Sequence, residues 1–69
     1  MTEERARKMI EEMNGKLTPE TPYDMARYEL VELGDTWIEV AEIQKCGHTH
    51  CEDYTIKEFT EGYEYIMSH

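Results

Sequence analysis

The spacing of apolar positions divides the chain into three parts. Near the N-terminus Ala6, Met9, Ile10 and Met13 recur at i, i+3, i+4 and i+7, the stripe of an amphipathic helix. Thr2 stands ahead of it as an N-cap, and Asn14-Gly15 follow as a stop. On the outer side Glu4 faces Lys8, Arg7 faces Glu11 and Lys8 faces Glu12 at four-residue spacing, so this helix neutralises its own polar face. Leu17 to Pro22 contains two prolines and continues neither a helix nor an inner strand, which makes it a linker. Thr21 and Pro22 could also open a short helix running through Asp24 to Arg27.

From Tyr28 to Lys45 the pattern changes to Leu, Val, Trp and Ile interleaved with Glu around Gly34-Asp35, a hairpin signature in which Gly34 can supply the positive φ of a tight turn. With Gly34-Asp35 as the loop, one face carries Glu29, Val31, Leu33, Ile38, Val40 and Glu42. The other carries Tyr28, Leu30, Glu32, Trp37, Glu39, Ala41 and Ile43. Both faces are half apolar, so helices must cover one and a partner chain suits the other. A helix presenting Tyr23, Ala26, Leu30 and Leu33 is the competing reading of residues 22–33.

Beyond Cys46-Gly47-His48-Thr49-His50-Cys51, read as a polar strand-to-helix loop, Thr55 and Glu58 have the spacing of a capping box. Ile56, Phe59, Tyr63, Ile66 and Met67 then fall on one helical face, although Glu61-Gly62 could instead turn a second hairpin. The cleaner apolar stripe favours the helix. The predicted fold is α+β: one domain over residues 1–69 with an N-terminal helix, an antiparallel β-hairpin and a C-terminal helix.

Composition sets the scale of the core. Of 69 residues 39% are apolar, enough for a modest core and too many for a disordered tail. A chain this short is near the lower limit for folding without a staple, so a homodimer is expected. No apolar run is long enough to cross a bilayer and the first residues form no secretory stretch, so a cytoplasmic location is expected. Cys46 and Cys51 are too few for a disulfide scaffold and would stay thiols in a reducing compartment.

Charge changes the picture most. Sixteen Asp and Glu oppose seven Lys and Arg, a net charge of -9. Residues 1–16 balance four acids with four bases, so the whole excess belongs to residues 17–69, where twelve acids meet only Arg27, Lys45 and Lys57. Such self-repulsion is relieved by an external cationic surface. Duplex DNA presents a phosphate about every 3.4 Å along each strand. Alternate residues on a strand are roughly 6.7 Å apart, and residues three or four apart on a helix about 5–6 Å. Glu29, Glu32, Glu39 and Glu42 on the hairpin, Asp35 at its tip, Glu52 and Asp53 in the loop, and Glu58, Glu61 and Glu64 on the last helix are the candidate partner-binding residues. A surface of this kind repels nucleic acid and competes for the basic groove that holds it.

In length, charge and a Tyr-rich acidic block, exemplified by Tyr54-Thr55-Ile56-Lys57-Glu58-Phe59-Thr60-Glu61-Gly62-Tyr63-Glu64-Tyr65, the chain resembles the small acidic proteins that phages make during host takeover, including DNA mimics that act on the nucleoid protein HU and anti-CRISPR proteins. The resemblance implies a stoichiometric inhibitor, often a homodimer, that occludes the nucleic-acid site of a basic host protein in the bacterial cytoplasm. It brings no diagnostic motif and transfers no functional residue.

Cys46, His48, His50 and Cys51 form the alternative, a zinc-stabilised regulatory or adaptor module. Zinc takes four such ligands, but structural sites usually separate two close pairs by a longer span. Here all four lie within six residues, so a site would use two or three of them and borrow His69 or a second chain. The expectation is therefore no metal and no cofactor. No carboxylate pair or Cys-His couple is set apart for catalysis, and an enzyme is not expected. Trp37 reads as a hairpin-packing residue, and Tyr65, among glutamates, as a surface on which a partner's arginine could stack.

Overall fold

The computed structural model describes residues 1–18 and 25–68. Helix α1 (Glu3–Asn14) leads into strands β1 (Met25–Leu33), β2 (Trp37–Gln44) and β3 (Thr49–Thr55), and helix α2 (Ile56–Ser68) closes the order. The strands form one antiparallel meander, β1-β2-β3. The α+β class and both helices are as expected. The hairpin has gained a third strand.

Local chemistry explains the ends of both helices. Thr2 is extended, and its hydroxyl accepts from the Arg5 N–H at 3.1 Å; Gly15 follows the last turn of α1. At α2 the capping box is complete. The Glu58 N–H donates to the Thr55 hydroxyl at 3.0 Å, and the Thr55 N–H donates to the Glu58 carboxylate at 2.8 Å. The Thr55 backbone N–H, and after it the Thr55 hydroxyl, hold the Glu58 carboxyl below its usual pKa. A further bond, Ile56 N–H to Thr36 carbonyl at 3.0 Å, fastens the start of α2 to the β1–β2 turn.

Both helices pack on one face of the sheet. Ala6, Met9, Ile10 and Met13 from α1 and Phe59 from α2 close over Ile38 and Val40 of the central strand. Met9 and Ile38 are the largest fully buried side chains. Burying each contributes on the order of 1.5–3 kcal/mol of hydrophobic free energy. Tyr28, Leu30, Leu33 and Tyr54 edge this core from the outer strands, and Ile56, Tyr63 and Ile66 edge it from α2. Asn14 does more than stop α1. Its side-chain amide donates to the Tyr28 carbonyl at 3.0 Å and accepts from the Tyr28 N–H at 2.7 Å, taking the place of a neighbouring strand at that point on β1.

Several expectations need correction. The register between β1 and β2 shifts between Leu30 and Glu32, leaving Val31 as an extra residue in β1. A bulge reverses the inside-outside alternation beyond it. Leu33 and Ile38 share the helix-covered face as expected, but Tyr28 and Leu30 have moved onto it, and Glu29 has moved off. Gly34 is needed for space, not for a positive φ. A Cβ there would lie 2.3 Å from the Trp37 ring, which folds down over the turn. The positive φ, 95°, occurs at Gly47, in the β2–β3 turn.

Residues 49–53, read as loop, belong to β3. Over 25–33 the helical alternative gives way to strand, and 61–62 lie within α2, not in a hairpin turn. Of the proposed 21–27 helix, the part at 25–27 is strand. Its remainder, most of the Leu17–Pro22 linker, and His69 lie outside the described residues. Among the ion pairs expected on α1, Arg7 is bonded to Glu3 at 3.1 Å, where pairing with Glu11 was expected.

Candidate functional site

With both helices on one side, the other side of the sheet is the candidate binding face. It follows from strand alternation that β2 presents Trp37, Glu39, Ala41 and Ile43 there. Their partners in register are Glu32, Glu29 and Arg27 on β1, and Thr55, Asp53, Cys51 and Thr49 on β3. Ala41 is buried among its neighbours yet stands outside the helix-side core, as expected for a small residue in the middle of an uncovered face.

The register places three carboxylates in line. Glu32 pairs with Glu39, and Glu39 pairs with Asp53, so one row across β1, β2 and β3 is entirely acidic. Neighbouring strands are about 4.8 Å apart, and like charges directly opposite each other are destabilising. Glu29 is one pair further along, held by Arg27 at 2.8 Å in an exposed ion pair of little energetic weight. Asp35 is exposed at the β1–β2 turn. Beside the acids, Val31 is 49% exposed and Trp37 is 38% exposed. An acidic row and exposed apolar side chains thus lie close together on this side of the sheet.

The remaining candidates lie elsewhere. Glu42 and Glu52 share the helix-covered face of the sheet. Glu42 is half-buried and accepts the Tyr54 hydroxyl at 3.2 Å, while Glu52 is exposed and bonded to His50 at 2.6 Å. Burial first, and then the Glu42 carboxylate, pushes the Tyr54 phenol up to about 12 and raises Tyr28 as well. Glu58 is engaged in the cap, and Glu61 and Glu64 are exposed on α2. The ten candidate acids thus divide between the two sides of the molecule, with Glu29, Glu32, Glu39 and Asp53 brought together and Asp35 at their margin.

The Cys/His cluster is not assembled. His50 and Cys51 are successive residues of β3 and point to opposite faces of the sheet, while Cys46 and His48 lie in and beside the turn before it. Cys46 contacts Gln44 at 3.6 Å, and both thiols are free and exposed. Among the described residues no three His, Cys, Asp or Glu side chains converge on a metal position. None of the helices described is long and apolar enough to cross a membrane.

Comparison of the chain with protein-family models, with curated proteins and with solved structures gave no match. The exposure of Val31 and Trp37 and the alignment of the acid row are what sequence reasoning missed. For the strand that completes the row, the available signal was the turn at Gly47-His48, followed by Thr-His-Cys-Glu-Asp-Tyr-Thr, whose Thr and Tyr suit a strand.

Proposed function

We propose that the chain is an acidic binding protein that uses the uncovered sheet face to occupy the nucleic-acid site of a basic protein, with the nucleoid protein HU as candidate target. The observation that carries the reading is the Glu32–Glu39–Asp53 row. Three like charges in adjacent strands oppose folding of the isolated chain, and a partner's lysines and arginines relieve that repulsion while taking the carboxylates in place of phosphates. Glu29 and Asp35 extend the row, and Trp37 offers an indole against which an arginine can stack. The same row works against a second copy docking face to face, because the two acid rows would meet. A homodimer, as proposed for so small a core, is better served by a strand edge or by the helices. The reading places the protein in the cytoplasm, the host bacterial cytoplasm if a phage encodes it.

The test is affinity capture of basic nucleic-acid-binding proteins, HU first, followed by titration with salt and with duplex DNA. Affinity should fall steeply between low and physiological salt, since exposed charges are screened over about 8 Å there. DNA should displace the chain. Replacing Glu32 and Glu39 with Gln and Asp53 with Asn should weaken the complex more than replacing Glu61 and Glu64 with Gln. A complex indifferent to salt, or one that binds DNA and this chain together, would refute the mimicry.

A further inference from the structure

The opposite side of the molecule holds a cleft between α2 and the sheet. It measures about 130 Å³ and is floored by Met13, Val40, Phe59 and Ile66. Around this apolar floor stand Tyr28, Tyr54 and Tyr63, together with the carboxylates of Glu42 and Glu58. Gly62 forms part of the rim and, like Glu58, is exposed.

Gly62 is the informative residue. Within a helix, glycine costs about 1 kcal/mol relative to alanine. Neither space nor backbone conformation calls for it: a Cβ at Gly62 would meet no atom within 4 Å, and its φ is not in the left-handed region. A longer side chain at this position would stand at the rim of the cleft. Glu42 adds a second observation. One of its carboxylate oxygens, Oε1, accepts the Tyr54 hydroxyl, and Oε2 takes no hydrogen bond from a described residue. Cationic chemistry is already seated at the edge of this cluster, where the Arg5 guanidinium stands 5.9 Å from the centre of the Tyr63 ring, whose hydroxyl is bonded to Glu12.

We infer that this cleft binds a guanidinium group, which stacks on tyrosine while donating N–H bonds to Glu42 and Glu58. The carboxylates decide between cations. A quaternary ammonium would satisfy the rings but bring no donor to Glu42 Oε2, whereas a planar guanidinium is weakly hydrated, stacks on aromatic faces and presents donors in its plane. The site is separate from the acidic sheet face, and the group could arrive as a free small cation or on an arginine side chain.

The experiment follows backbone amide shifts of the full chain during titration with methylguanidinium, methylammonium and tetramethylammonium at constant ionic strength. Methylguanidinium should shift Tyr28, Glu42, Tyr54 and Gly62 saturably, at concentrations at least fivefold below those of the other two cations. Glu42→Gln should weaken the response about tenfold, Gly62→Leu should abolish it by filling the rim, and Glu61→Gln should leave it unchanged. Because Gly62 faces open space, Gly62→Leu retains the fold and decides the matter even if Glu42→Gln unfolds. A blocked Gly-Arg-Gly peptide binding tenfold more tightly than methylguanidinium would point to a protein side chain, and equal binding to a free cation. Either result supports the site. Equal response to tetramethylammonium, unchanged binding by Gly62→Leu, or shifts gathered at Glu32, Glu39 and Asp53 would overturn it. Glu39→Gln, which alters only the sheet face, distinguishes failure of this site from failure of the other.

Discussion

Glu39→Gln removes the central charge of the acid row and tests whether the row is under repulsion. Glu39 faces Glu32 on one side and Asp53 on the other. With strands about 4.8 Å apart and side chains able to splay, we take about 6 Å between charges, which gives about 0.7 kcal/mol per neighbour in water. Screening over about 8 Å at physiological ionic strength roughly halves this. Two neighbours together give about 1.4 kcal/mol at low salt and about 0.7 kcal/mol at physiological salt. For a domain of this size the second figure corresponds to a rise in Tm of about 3–5 °C. Urea and thermal melts of both proteins at 10-fold different salt concentrations would measure it. The variant should be the more stable of the two, by a margin that shrinks as salt rises, and it should bind the basic partner less well. If Glu39→Gln is no more stable at low salt, or if its advantage ignores salt, the row is not under repulsion and the argument for an external cationic partner loses its basis.

Other consequences can be checked with the same material. Ile38→Ala empties the most enclosed position of the central strand and should cost about 3 kcal/mol, read as a large drop in the urea midpoint followed by circular dichroism. Thr55→Ala removes the hydroxyl that caps α2 and should cost about 1 kcal/mol in urea denaturation. The Tyr54 phenol, raised to about 12, favours the neutral form in the folded state. Its contribution to stability is therefore complete below pH 10 and lost as pH climbs towards 12, since the unfolded chain gives up that proton first. Ultraviolet titration should show Tyr28, Tyr54 and Tyr63 ionising late, and Glu42→Gln should move Tyr54 and Tyr28 earlier.

The local elements were legible in the chain itself. Ala6, Met9, Ile10 and Met13 announced α1, and Thr55 with Glu58 announced the start of α2, because caps and stripes are written in residues three or four apart. The acid excess after residue 16 was equally plain. β3 was not, since its polar sequence has no buried face of its own to leave an alternation: it is a strand because β2 offers it backbone partners. Nor could the faces of β1 be assigned from period alone, because one extra residue at Val31 exchanges them.

Charge along the chain therefore said how many carboxylates there are, and pairing between strands decided which of them meet. Glu32, Glu39 and Asp53 stand up to 21 residues apart in the chain, yet they form a single row because antiparallel pairing joins positions that no local pattern connects. Hydrogen bonding between distant segments, not the order of residues along them, sets which side chains share a surface.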